Sequence, residues 1–182
     1  MAQDPEIQRV RSYLLTQSER HDWDALWPRV IGSRLELLTE TSDLSEEQAN
    51  FKASPEEWSI YDCLEHVLRG SRGSLKRVEA LAAGNLTLAQ EEAQQFDHND
   101  SQPSRDIEAN SYTELRAQLI ADSSHYAGIL DRLPSNPNLE ITLSSPFGEL
   151  NSRAWFLFQR LHDTDHLGQI RAIKDAPDYP DA

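Results

Sequence analysis

The 182-residue sequence contains a single cysteine, few basic residues and no long apolar run. One cysteine, Cys63, excludes an intrachain disulfide and a cysteine-rich zinc site. Seventeen Lys and Arg residues against 31 Asp and Glu residues give a net charge of −14, which argues against binding to nucleic acid or to an anionic membrane. Residues 1–6 lack a signal-peptide pattern. We therefore expect a cytoplasmic protein that acts on a small molecule or on another protein.

The apolar residues recur mostly at helical spacing, which predicts an all-α protein. Long helices are predicted over about 4–19, 28–39, 59–83, 111–133 and 152–173. The shorter features are predicted helical segments near 45–48 and 86–96, a loop at 98–104 and one small strand at 139–143. Four long amphipathic helices, with one more at the N-terminus, are typical of a helical bundle.

Two histidines in the predicted last helix, His162 and His166, are four residues apart and therefore share one helix face. Two imidazoles at that spacing can bind one metal ion through ring nitrogens. They belong to a stripe with the steps 4-3-4-3-4, typical of the interior seam of a bundle helix. The members of this stripe are Trp155, Gln159, His162, His166, Gln169 and Ile173. We expect Asp163 on the opposite side. The alternative for the histidines is hydrogen bonding to backbone or to buried water.

A third metal ligand has to come from another helix, and His66 is the candidate. It lies away from the middle of its helix's apolar stripe, which taken alone favours a surface position. Gly70 and Gly73 follow it at i+4 and i+7 and so share its helix face. These small residues indicate either a cavity wall or a close helix crossing. Cys63, one turn before His66, is expected to be a buried and unreactive thiol.

Two segments resemble DinB-like proteins. Residues 58–67, WSIYDCLEHV, are similar to the start of that family's second bundle helix, and residues 162–170, HDTDHLGQI, are similar to its last-helix signature. The resemblance extends over about 28–174 and implies an up-down four-helix bundle of the DinB-like type with an extra N-terminal helix. Residues 1–27 are then an N-terminal helical extension, and 175–182 a loose C-terminal tail.

The resemblance also implies one divalent metal ion held by His66, His162 and His166. Its identity is open among Zn, Ni and Fe, since imidazole suits each of them. Some relatives are thiol-dependent enzymes, including mycothiol-dependent maleylpyruvate isomerase and bacillithiol S-transferases. We therefore expect a small-molecule substrate and, as a second ligand, a low-molecular-weight thiol. Gln159 and Gln169 are expected to line the cavity and to contact the bound ligand.

Three imidazoles leave metal positions open, so the ion can activate a coordinated thiol or water for attack on a small electrophile. The chain lacks the Glu-x-x-His pairs of a di-iron bundle. One alternative is a non-catalytic metal-binding module whose ion is structural. Another is a bundle with an empty site that serves only dimerisation, and a homodimer is a candidate assembly in either case.

Overall fold

The computed structural model describes residues 4–95 and 107–181. Its long helices are α1 (Pro5–Arg20), α2 (Trp23–Glu40), α4 (Ile60–Ala82), α6 (Tyr112–Ala127) and α7 (Ser152–Lys174). Its shorter elements are α3 (Glu46–Asn50), α5 (Leu86–Gln95), a 3₁₀ turn (Ile129–Arg132), β1 (Thr142–Ser145) and β2 (Gly148–Asn151). The prediction of an all-α protein is confirmed. The predicted loop at 98–104, like Phe96 at the end of the predicted short helix, lies outside the described residues.

Four of the long helices form the bundle, since α2 and α4 each pack against both α6 and α7. Helix α1 packs along α7 and against β2, where Leu14 is fully buried and the Asn151 amide donates to the Ser18 hydroxyl at 3.0 Å. The apolar interior divides into two clusters, one toward each end of α4 and α7. Within the described residues, no helix has the length and apolar character needed to cross a membrane.

Helix α2 begins five residues earlier than the sequence pattern predicts. The prediction placed its start at Pro28, but the Asp22 carboxylate accepts a hydrogen bond from the Ala25 amide at 3.0 Å and caps a helix that begins at Trp23. Pro28 therefore lies inside the helix, where it removes one backbone hydrogen bond. The burial of Trp23 and Leu26 accounts for the longer helix, because both side chains join the core.

The region between α6 and α7 also differs from its prediction. Helix α6 ends at Ala127, and Gly128 separates it from the 3₁₀ turn, where one continuous helix to Leu133 was predicted. Instead of a single strand at 139–143, β1 and β2 form an antiparallel hairpin in which Leu143 lies opposite Leu150. Gly148 opens β2 with φ 99°, a conformation that favours glycine. The second strand was not predicted because its residues include Gly148 and Asn151, whose types are uncommon in strands.

Asp163 is buried, and its predicted position away from the interior is wrong. Its carboxylate accepts two hydrogen bonds from Arg34 of α2, from Nε at 2.8 Å and from Nη2 at 3.1 Å. Asp122 of α6 lies 3.6 Å from the same guanidinium. Burial opposes the charge of Arg34, but Asp163, Tyr126 and Asp122 outweigh it and raise the pKa of Arg34. Because α7 packs between α2 and α4, two of its sides are buried rather than one.

The C-terminal residues, for which we predict a loose tail, contact the segment around α3. The Gln48 side chain donates a hydrogen bond to the Pro180 carbonyl at 3.1 Å. The rings of Phe51 and Tyr179 meet edge to face, with centroids 5.5 Å apart. These contacts bring the end of the chain beside the connection that leads to α4.

Candidate metal centre

Helices α4 and α7 bring His66, His162 and His166 together. The ring centroids are 5.1 Å apart for His66 and His162, 4.9 Å for His66 and His166, and 4.6 Å for His162 and His166. Each ring offers a nitrogen within 4.8 Å of a nitrogen of the other two. His166 is buried, whereas the other two are partly exposed. The site therefore has an interior side and a side open to ligands.

The start of α4 is fixed by a reciprocal cap. The Ser59 hydroxyl accepts from the Asp62 amide at 3.1 Å, and the Asp62 carboxylate accepts from the Ser59 amide at 3.0 Å. Lys52 places its ammonium 2.7 Å from the same carboxylate. Burial tends to raise the pKa of Asp62, but Lys52 and the Ser59 hydrogen bonds keep that pKa below its ordinary value. The cap sets the helix register that places His66 at the site.

Trp58, the last residue before this cap, forms a wall of the site. Its indole stacks on His166, with centroids 6.0 Å apart and planes at 13°, and meets His66 edge to face at 5.2 Å. In the sequence, Trp58 served only to mark the start of the helix. A residue in an irregular connection has no periodic pattern that could assign it to the site.

Gly70 makes room for His162. A Cβ atom added to Gly70 would lie 3.3 Å from Cε1 of that imidazole, closer than ordinary van der Waals contact. The glycine on the His66 face of α4 thus permits the close approach of α7, which is one of the two alternatives that the run of small residues left open. A larger side chain at this position would displace His162.

Gln169 holds the His166 ring. Its Oε1 accepts a hydrogen bond from His166 Nδ1 at 2.7 Å and lies 3.7 Å from the Cys63 sulfur. Burial lowers the pKa of His166, although the hydrogen bond to Gln169 opposes this shift. A neutral ring that donates from Nδ1 keeps the Nε2 lone pair free, which is the state a metal ligand requires.

Gln159 lies behind His162 rather than on the wall of the pocket. Its amide nitrogen donates to the Asp163 carboxylate at 2.8 Å and lies 3.4 Å from His162 Nδ1. Its carbonyl oxygen accepts from the Tyr126 hydroxyl at 3.1 Å. Because a carboxylate only accepts, Asp163 fixes the orientation of this amide. Gln159 therefore connects the His162 ring to the buried ion pair of Asp163 and Arg34.

The three imidazoles line a pocket of about 840 Å³. This volume is in the range of small-molecule sites. The other lining residues are Ala53, Glu56, Glu57, Trp58, Cys63, Asp165, Gln169, Ala172, Ile173 and Ala176. A small ligand in this pocket would meet the open side of the histidine cluster.

A family model described as the DinB superfamily matches residues 32–170, which is well over half of the chain. The chain belongs to the DinB superfamily. Among curated proteins, the Bacillus subtilis (strain 168) protein named "Uncharacterized protein YuaE" is 28% identical over 152 residues, 79% of this chain and 93% of the relative. No solved structure matches the chain. The resemblance drawn from the two sequence motifs is thereby confirmed, with α1 outside the family match.

The remaining histidines of this DinB-superfamily chain lie away from the cluster wherever they are described. His21 ends α1 and lies 3.3 Å from an Arg29 nitrogen, and His125 is exposed on α6. His98 lies outside the described residues. Among residues 4–95 and 107–181, the three site histidines form the one group of three His, Cys, Asp or Glu side chains close enough to share an ion.

Cys63 of this DinB-superfamily protein is expected to react slowly in the folded, metal-free state. Burial, followed by the nearby Asp62 and Asp165 carboxylates, raises the pKa of its thiol to about 12. Since the thiolate is the reactive form, we expect a thiol-specific disulfide reagent at pH 7 to react at least ~100-fold more slowly than in denaturant. The absorbance of the released chromophore measures both rates, with Cys63→Ser as the blank. Equal rates in the two states would contradict the expectation.

Proposed function

We propose that this DinB-superfamily protein binds one divalent metal ion through His66, His162 and His166 and acts on a small molecule in the adjoining pocket. The observation that carries the proposal is the convergence of three imidazoles from two helices, with nitrogens within 4.8 Å of one another. Two nitrogens that share an ion at 2.0–2.1 Å are at most about 4.2 Å apart. In a tetrahedral site the nitrogens are about 3.4 Å apart, so side-chain movements on the order of 1 Å would bring the three imidazoles onto one ion.

The donor set also supports an open rather than a structural site. Structural zinc sites are usually closed by four protein ligands, whereas catalytic ones keep a position for water or substrate. Cys63 lines the same pocket, but its sulfur contacts Gln169 and lies outside the histidine cluster. Three neutral imidazoles suit zinc, nickel or iron, and elemental analysis has to identify which one is bound.

The proposed reaction is attack by a thiolate or hydroxide on a small electrophile. A bound divalent ion would supply the acidity, since coordination lowers the pKa of a thiol or of water. The chain itself orients the ligands, as Gln169 fixes the His166 ring and Gln159 lies against His162. Trp58 covers one side, and the pocket has room for the electrophile and for a low-molecular-weight thiol.

The direct test is metal content. Protein stripped with a chelator, exposed to Zn²⁺, Ni²⁺ or Fe²⁺ and desalted is expected to retain one ion per chain by elemental analysis. A protein that retains none of the three ions would contradict the proposal. Retention of the same amount by a His162→Ala variant would contradict it as well, because the ion would then be bound elsewhere.

The Gly70→Ala variant is expected to separate metal affinity from fold stability. Alanine favours the middle of a helix by about 1 kcal/mol over glycine, but the new Cβ would press on His162 at 3.3 Å. We expect metal affinity to fall by about tenfold, comparable to the loss of a residue that hydrogen-bonds a metal ligand. The midpoint of thermal unfolding is expected to be unchanged or raised. Calorimetric titration and thermal unfolding measure the two quantities.

Gly32→Ala is the matched control. Gly32 lies inside α2, and a Cβ there would meet nothing within 4 Å. We expect this variant to gain helix stability and to keep the wild-type metal affinity. Equal affinities for the Gly70→Ala and Gly32→Ala proteins would show that the His162 ring tolerates the contact.

A further inference from the structure

The charged side chains that line the pocket beside the histidines all carry the same sign. Glu56 and Glu57 come from the connection before α4, and Asp165 from α7. All three are exposed. In the part of the pocket that the structure describes, the lining includes no Lys or Arg side chain. An acidic cluster alone does not define a ligand, but here it belongs to a pocket that also contains imidazoles and an indole.

Neither Lys52 nor Arg69 lines the pocket. Lys52 pairs with the buried Asp62 carboxylate at 2.7 Å. Arg69 places a guanidinium nitrogen 3.5 Å from His66 Nδ1, and it does not line the pocket. The lining itself therefore contributes only negative charge, and the positive charges of Arg69 and of a bound divalent ion would lie at the histidines.

Trp58 is a second feature of the pocket that favours a positively charged ligand. The face of an indole attracts a cation within about 6 Å of the ring centroid. Trp58 stacks one face on His166 and lines the pocket, so a cation would have to meet its other face. An ammonium group in this pocket would meet carboxylates and an aromatic ring. A carboxylate or phosphate would meet like charges without a basic side chain of the lining to pair with.

We propose that the pocket selects a small molecule with a positive charge, an amine whose other end coordinates the metal. This inference rests on the proposed metal site and specifies its ligand class. An anionic end, such as a thiolate, binds the ion, while the ammonium group lies among Glu56, Glu57 and Asp165. Small ligands whose free end is a carboxylate are disfavoured, because that end would lie in the same negative field.

Three small thiols test this preference. Cysteamine, 2-mercaptoethanol and mercaptoacetate offer the same metal-binding atom with a positive, neutral or negative free end. Each is titrated into the Co²⁺-loaded protein at low salt and pH 7, and the thiolate-to-cobalt absorption band gives the dissociation constant. The quantity of interest is the ratio of the mercaptoacetate constant to the cysteamine constant, measured in wild type and in charge variants.

Removal of the pocket charges is expected to lower this ratio by about tenfold, the low end of what a charged cleft contributes. The variant is Glu56→Gln/Glu57→Gln/Asp165→Asn, which keeps all three histidines. Because each thiol is compared with itself between proteins, its intrinsic acidity and affinity for cobalt cancel. Addition of 0.5 M salt to the wild type is expected to lower the ratio in the same direction.

The control variant removes the same number of charges far from the pocket. Glu19, Glu140 and Glu149 are exposed and do not line it, and their replacement by Gln is expected to leave the ratio within about twofold of wild type, since distant exposed charges are screened. An equal ratio in wild type and the pocket variant would overturn the inference while cobalt binding upholds the metal site. A wild-type protein that binds no cobalt would overturn both.

Discussion

Replacement of His162 by alanine is expected to lower the affinity for a divalent ion by at least about 100-fold. Loss of a residue that only hydrogen-bonds a metal ligand already lowers metal affinity by about 10–100-fold. Loss of one of three ligands removes a direct bond to the ion. The same result is expected for alanine at His66 or His166, because each contributes one imidazole. Elemental analysis after desalting and calorimetric titration measure the effect.

The fold is expected to survive these replacements. His66 and His162 are partly exposed, and His166, although buried, lines the pocket. Their loss therefore opens little of the core, and far-ultraviolet circular dichroism should be unchanged. His125→Ala is the control, since His125 is exposed on α6 away from the cluster. Wild-type metal content in any of the three site variants would reject the assignment of that ligand. Melting of the helices after removal of the ion would instead assign the ion a structural role.

The two histidines of α7 can be predicted from the sequence more directly than His66 of α4. His162 and His166 are recognisable from their spacing, because residues four apart share a helix face whatever surrounds the helix. His66 lies away from the middle of its apolar stripe, so periodicity favoured a surface position. Only the resemblance to DinB-like proteins joined it to the other two, since the rotation of one helix relative to another is set by side-chain packing.

Most helix boundaries were predictable to within one or two residues, and the larger errors at the start of α2 and the end of α6 have local causes. Capping residues mark helix starts, as at Ser59 and Ser111. The start of α2 was misassigned because proline is common at the first position of a helix. Pro28 instead lies inside a helix that Asp22 caps. Trp58 was not predicted as a wall of the site because its role depends on contacts between α4 and α7.

The buried position of Asp163 was missed because the sequence pattern indicated only one buried side of α7. The stripe that begins at Trp155 is buried at Gln159 and His166 but exposed at Gln169. Helix α7 also packs against α2. A charged residue on that second side needs a partner, and Arg34 supplies two hydrogen bonds at 2.8 and 3.1 Å. The pairing depends on the juxtaposition of residues 129 positions apart in the chain, which no local pattern encodes.

The Asp163→Ala variant is expected to lose about 3 kcal/mol of unfolding free energy, the lower part of the range for breaking a buried ion pair. Asp163 is fully buried and Arg34 is 2% exposed, so the guanidinium would lose its bidentate partner without gaining water. Asp122, 3.6 Å away, retains part of the compensation, which places the loss at the lower end. Urea unfolding followed by circular dichroism measures the difference.

A double variant separates the buried charge from the lost packing. Arg34→Met combined with Asp163→Ala removes both members of the pair, and replacement of a buried ion pair by apolar side chains is often close to neutral. We expect the double variant to recover at least about 1 kcal/mol relative to Asp163→Ala, the size of coupling found for contacting residues. A double variant no more stable than Asp163→Ala would contradict the expectation, because it would mean that water or Asp122 already compensates Arg34 in the single variant.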